Sequence, residues 1–169
     1  MLHYQTIESQ TLELLKKLMQ IKEFKALRVV GGTSLALQIG HRQSIDLDLF
    51  GTLEVDEIEL PEILHKIGSI TLLKKTKNIN IYLIDGIKVD LVNYPYTWLD
   101  EISFEDNIRL ASTRDIAAMK LAAITGRGTK KDFIDLFFLL QTYRLDEMLK
   151  FYKLKYYDAS EILVLKSLA

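Results

Sequence analysis

The sequence predicts an α+β protein, with a mixed sheet flanked by helices over residues 1–108 and a helical lobe over 109–169. Three observations carry this. Short alternating runs such as IDLDLF, INIYLI and IKVDLV fall in the first part, and alternation is the mark of a strand with one buried face. Asp85-Gly86 separates two of these runs, a strong two-residue hairpin signal. From residue 112 onward the apolar residues recur at helical spacing instead.

Taken in order, residues 8–20 bring Leu12, Leu15, Leu18 and Met19 to one side of a helix. Leu27, Val29 and Val30 form a short strand running into Gly31-Gly32. Thr33 or Ser34 caps a short helix that Gly40 stops. A strand through Asp46 and Asp48 follows, and Pro61 marks the first turn of a helix with Ile63, Leu64 and Ile67 inward. ITLLKK, INIYLI and IKVDLV supply three more strands. Ser112 with Asp115, and Thr129 with Asp132, open helices with capping boxes, and Gly126 ends the first of them. Phe133, Phe137 and Phe138 fall at helical spacing and are expected in the core. Two further helical runs cover about 146–155 and 159–168, and the last ends on ILVLKSLA with no stop signal, as if completed by a further segment or a partner.

The composition excludes several classes. There is no cysteine, so disulfides, cysteine zinc sites and a thiol nucleophile are ruled out. The first residues, MLHYQTIESQ, do not read as a signal peptide, and no apolar run approaches the roughly 20 residues of a membrane span. A cytoplasmic protein without a membrane partner is the expectation. Net charge is −1, yet residues 109–155 hold ten basic against five acidic side chains. That surplus is either an ordinary solvated helix surface or a field that steers a polyanion.

The stretch GGTSLALQIGHRQSIDLDLF, residues 31–50, carries the chemistry. Asp46 and Asp48 alternate with Ile45, Leu47 and Leu49, so both carboxylates leave one strand face while the aliphatic residues anchor the other. Such a pair suits a hard cation like Mg²⁺, held by one or two carboxylates plus substrate phosphates. Gly31, Gly32, Thr33 and Ser34 offer backbone N–H groups and a hydroxyl to phosphate at a helix start. Arg42 is a phosphate contact, and His41 is a structural histidine more readily than a ligand. Asp90, in mid-strand beside Lys88 and Val92, either faces water or is a third carboxylate. Asp85 is a turn residue.

Three blocks, GGTSLALQIGHRQSIDLDLF, KVDLVNYP and LASTRDIAAMKLAAITGRGTKKDFIDLFFLL, resemble the AbiEii/AbiGii toxin family within the polymerase-β-type nucleotidyltransferases. The resemblance implies the nucleotidyltransferase fold and transfer of a nucleoside monophosphate from an NTP, with one or two Mg²⁺ ions and release of pyrophosphate. It makes Asp46, Asp48 and Asp90 the metal and catalytic residues. It places Lys120 facing the nucleotide, and Lys131, Asp132 and Asp135 in a K-D-x-x-D motif, with Lys131 and Asp132 toward the nucleotide. Asp132 is equally explained as a capping residue, and Asp135 as a partner of Lys131. The resemblance also implies a cognate antitoxin and an RNA acceptor such as tRNA, and its members are usually longer than this chain. Two other readings keep the same fold: transfer to a small-molecule acceptor, as in aminoglycoside nucleotidyltransferases, or a non-catalytic binding module.

Overall fold

The computed structural model describes residues 1–169. The chain runs through α1 (Ser9–Gln20), β1 (Leu27–Val29), α2 (Gly31–Ile39), β2 (Leu47–Gly51), α3 (Glu59–His65), β3 (Ile70–Lys75), β4 (Ile79–Ile84) and β5 (Ile87–Asn93). It continues through β6 (Ser103–Glu105), β7 (Ile108–Leu110), α4 (Thr113–Gly126), α5 (Lys130–Leu139), α6 (Leu145–Lys155) and α7 (Glu161–Leu168). The protein is α+β, with one seven-stranded mixed sheet in the order β3-β4-β5-β2-β1-β7-β6. No helix is long and apolar enough to cross a membrane.

Two compact units divide the chain: residues 1–95 with 104–110, and residues 96–103 with 111–169. The boundary therefore differs from a single break after residue 108. Segment 96–103 joins the helical unit, and 104–110 returns to the first unit as the β6–β7 hairpin. The sequence reading missed this hairpin because its strands have three residues each, too few to show alternation. Its turn is readable in hindsight: Asp106 and Asn107 both adopt positive φ, a conformation these two residues tolerate better than most.

In the first unit β3, β4 and β5 form an antiparallel meander. Asp85 (φ +49°) and Gly86 (φ +80°) make the expected tight turn between β4 and β5, and the Asp85 carboxylate accepts the Ser69 N–H at 2.8 Å. β5 runs parallel to β2, β2 antiparallel to β1, and β1 parallel to β7. The core under this sheet is made by Leu15, Leu18, Leu27, Leu47, Leu49, Val89 and Leu91, all fully buried. Leu12 is only partly buried, and Leu14 takes its place on the inner face of α1.

One buried charge ties β7 to β1 and to the end of α1. Arg109 on β7 donates to three carbonyls: Leu27 on β1 (2.8 Å), Met19 in the last turn of α1 (3.0 Å) and Phe24 in the following 3-10 turn (3.0 Å). Its burial lowers the guanidinium pKa. The carbonyls at a helix C-terminus carry partial negative charge and favour a cation, so no carboxylate is needed.

In the second unit α4 packs against α5, α6 and α7. Asp115 of α4 and Lys155 of α6 are wholly buried and paired at 2.7 Å. Asp115 also accepts the Leu99 and Asp100 N–H groups and bonds to Ser112. Lys155 donates to the Thr97 carbonyl and lies 4.2 Å from the centre of the Trp98 ring. The pair thus fastens segment 96–103 to the helices. Phe133 and Phe137 depart from the expected core placement: they lie exposed on α5, Phe137 at 59%. The inner face of α5 is built from Asp132, Asp135, Leu136 and Leu139 instead.

Arg109→Met leaves three carbonyls without their donor. Urea unfolding is expected to show a loss of about 1–3 kcal/mol, whereas a stability equal to wild type would show that these bonds do not hold β7 in place.

Candidate active site

The candidate carboxylates of the first unit are positioned by the pairing of β2 with β5. In register, Leu47 faces Val89, Asp48 faces Asp90, and Leu49 faces Leu91. Adjacent parallel strands lie about 4.8 Å apart, so two carboxylates stand side by side, both half-buried. The four aliphatic residues flanking them are fully buried on the opposite face. The alternation read from the sequence therefore holds for Leu47 and Leu49. It fails at Ile45, which is 55% exposed, because β2 begins only at Leu47. Asp46 sits just ahead of the strand, and Thr33 holds it there by bonding to the Asp46 carbonyl and to the Ser44 hydroxyl.

The start of α2 is built against Asp48. The Val30 N–H donates to the Asp48 carbonyl at 2.9 Å, and α2 begins at once with Gly31. Gly31 has φ +67°, and a Cβ there would collide with the Asp48 carboxylate. Glycine suits the left-handed backbone, and a Cβ there would push the Asp48 carboxylate from its place. The helix starts two residues before the expected cap, with Val30 as N-cap and no side-chain capping bond. Thr33 and Ser34 do not point outward as expected. Both are buried, and their hydroxyls engage Ser44, the Asp46 carbonyl and Gln38. What the first turn offers a phosphate is backbone N–H without an intrahelical acceptor, from Gly31, Gly32 and Thr33. Gly40 (φ +68°) ends the helix as expected. Arg42 donates to the Gln43 carbonyl at 2.9 Å.

Beside the aspartates stands a cation that sequence reasoning noted but gave no task. Lys88 Nζ lies 2.6 Å from Asp90 Oδ1. Burial works against the charge of Lys88, but the Asp90 bond and the charges of Asp90, Asp48 and Asp46 outweigh it and raise the lysine pKa. The signal was available: residues 88 and 90 are two apart on a strand and share a face. Asp46, Asp48 and Asp90 are not drawn into one ligand cage. As donors they fit a hard oxygen-seeking cation, and the absent Cβ of Gly31 leaves Asp48 room at a helix start.

The remaining candidates lie in the helical unit. Lys120 was expected to face a nucleotide; its ammonium is buried and turned inward to Asp132 (3.0 Å) and Asp135 (2.7 Å). Asp135 thus pairs with Lys120 and not with Lys131, which is exposed on the first turn of α5. Asp132 fills the capping role with Thr129 and also receives Arg127 through two hydrogen bonds. Its burial opposes ionisation, but the bonds from Arg127, Thr129 and Lys120 prevail and hold its pKa well below the usual carboxylate range.

The family described as "Nucleotidyl transferase AbiEii toxin, Type IV TA system" matches residues 13–164. An uncharacterized protein of Aquifex aeolicus, aq_aa25, is 34% identical over 168 residues, covering 96% of this chain and 82% of its own. Among solved structures, JHP933 from Helicobacter pylori is similar with a TM-score of 0.57 at 20% identity, over 86% of this chain and 72% of its own. The antibiotic-resistance factor ANT(2'')-Ia is similar with a TM-score of 0.62 at 14% identity, over 86% and 90%. The Megavirus polyadenylate synthase gives 0.57 at 15%, over 79% of this chain and 32% of its own. These structural likenesses support the nucleotidyltransferase fold.

Gly31→Ala puts a side chain where the backbone is left-handed and Asp48 already stands. A stability loss of at least about 1 kcal/mol is expected from the backbone alone, and a melting temperature equal to wild type would show that the two do not meet. Asp132→Asn breaks a buried network and is expected to cost about 3–5 kcal/mol at neutral pH. Because the folded-state pKa of Asp132 is depressed, its stabilisation is complete above the unfolded value of about 4 and is lost as pH falls below it. Thermal unfolding from about pH 7 to about pH 3 should therefore show the gap between wild type and Asp132→Asn narrowing only at the acid end.

Proposed function

Because the chain belongs to the AbiEii family of nucleotidyltransferase toxins of type IV toxin–antitoxin systems, we propose that it moves a nucleoside monophosphate from an NTP to an RNA hydroxyl, tRNA being the leading acceptor. The observation that carries this reading is the in-register pair Asp48–Asp90, with the start of α2 closed against Asp48 by Gly31. Asp46, Asp48 and Asp90 are the candidate ligands of Mg²⁺. The chemistry supplied by bound Mg²⁺ is neutralisation of phosphate charge and of the leaving oxygen. The backbone N–H groups at the start of α2 favour the negative triphosphate, and Arg42 is its candidate side-chain contact. Asp90 takes the proton of the acceptor hydroxyl. That oxygen bonds to the α-phosphorus, the bridging bond to the β-phosphate breaks, and pyrophosphate leaves.

Lys120 and Asp132 enter the reading without a direct contact to the nucleotide, since their charges are paired inside the helical unit with each other, with Asp135 and with Arg127. Lys131, exposed, remains a candidate for nucleotide or RNA phosphate. The surplus of basic residues over 109–155 supports a polyanionic acceptor. ANT(2'')-Ia, solved in complex with adenylyl-2''-tobramycin, keeps a small-molecule acceptor as the second reading. A cytoplasmic setting and a cognate antitoxin complete the proposal.

The test is incubation of the protein with Mg²⁺, each labelled NTP, and either total RNA or a panel of small hydroxyl compounds. Label in RNA is expected, with Asp90→Asn lowering kcat by about 10²–10⁴-fold and Asp48→Asn abolishing transfer. Label confined to small molecules would install the second reading, and no label in any mixture would leave a binding module. Growth arrest on expression, relieved by a co-expressed antitoxin, tests the toxin role.

A further inference from the structure

The two strands that carry the aspartates present a small charge lattice. Asp48 and Asp90 are paired across β2 and β5, and Asp46 and Lys88 each lie one residue before the neighbouring Leu47–Val89 pair. Three carboxylates on one patch repel one another. The Lys88 ammonium, 2.6 Å from Asp90, offsets that repulsion. The Lys88 side chain is 39% exposed and that of Asp90 18%, so the ammonium sits at the mouth of the cluster. Its flexible four-carbon stem can swing away without opening the core beneath Val89 and Leu91.

We propose that Lys88 is the resident counter-ion of this cluster: it holds Asp90 while no metal is bound, releases that carboxylate to an arriving divalent cation, and then turns to the triphosphate. This rests on the reading of Asp46, Asp48 and Asp90 as metal ligands. Lys88 is accordingly a positioning residue with two opposed effects, competing with metal and assisting phosphate. A lysine that merely stabilised the sheet would not separate them.

Calorimetric titration with Mn²⁺ alone, and then with inorganic tripolyphosphate at saturating Mn²⁺, reads both effects without any reaction. Lys88→Met and Lys88→Gln, checked for folding by circular dichroism, are expected to bind Mn²⁺ alone about five-fold more tightly than wild type, the scale of one partly exposed ion pair. The same variants are expected to bind tripolyphosphate about five-fold more weakly. Lys88→Arg, which keeps the cation, should stay near wild type in the first titration. An unchanged or weaker Mn²⁺ affinity in the Met and Gln variants, or an unchanged or tighter tripolyphosphate affinity, overturns the inference. If wild type binds Mn²⁺ and Asp48→Asn does not, the metal-site reading stands whatever Lys88 does. If wild type binds no Mn²⁺ with or without tripolyphosphate, that reading falls and the role of Lys88 falls with it.

Discussion

The register between β2 and β5 is the constraint on which the site depends. Side chains alternate along a strand, so a slip of one residue would send Asp48 into the core and Leu47 or Leu49 to the surface. Leu47, Leu49, Val89 and Leu91 are all fully buried, and each buried leucine is worth about 1.5–3 kcal/mol. A slipped register would forfeit several such terms and bury unpaired carboxylates as well. The aliphatic face therefore decides where the acidic face stands. The carboxylates are held side by side by residues that never meet them.

The helical unit uses charge differently. Asp115–Lys155 and the group Lys120, Asp132 and Asp135 are buried between their helices, with Asp115, Asp132 and Lys155 at helix ends and Lys120 and Asp135 in mid-helix. Burying ions is expensive unless every partner is present, and here the partners come from separate helices and from segment 96–103. Such pairs add little net stability over a well-packed apolar core, but they punish misalignment severely. They fix the helices in one arrangement, which suits a unit whose core is otherwise rich in small alanines, Ala117 and Ala118 among them.

Much of this was legible in the sequence. β3, β4 and the Asp85-Gly86 turn emerged at their observed limits because alternation and turn chemistry are local signals. Asp48 and Asp90 could be singled out because a carboxylate in mid-strand contradicts its surroundings. What escaped was set by partners distant in the chain. Nothing near Arg109 announces that Met19, Phe24 and Leu27 need a donor, and nothing near Lys155 announces Asp115. Phe133 and Phe137 misled because helical spacing reveals a shared face but not which way it turns. Lys120 was read through the resemblance as a nucleotide contact, and only its surroundings show two carboxylates waiting for it.

The return of residues 104–110 to the first sheet has a consequence for biosynthesis. β1 lies between β2 and β7, so until β7 emerges from the ribosome the nascent sheet ends on an unpaired β1. An unpaired strand edge is a template for foreign pairing, and this one is followed directly by the glycine turn of the site. Segment 96–103 must also leave the tunnel first, before the helices it fastens to exist. Folding of the first unit's sheet is thereby timed to the emergence of β7, and a chain that stalls before it would expose that edge to its neighbours on the polysome.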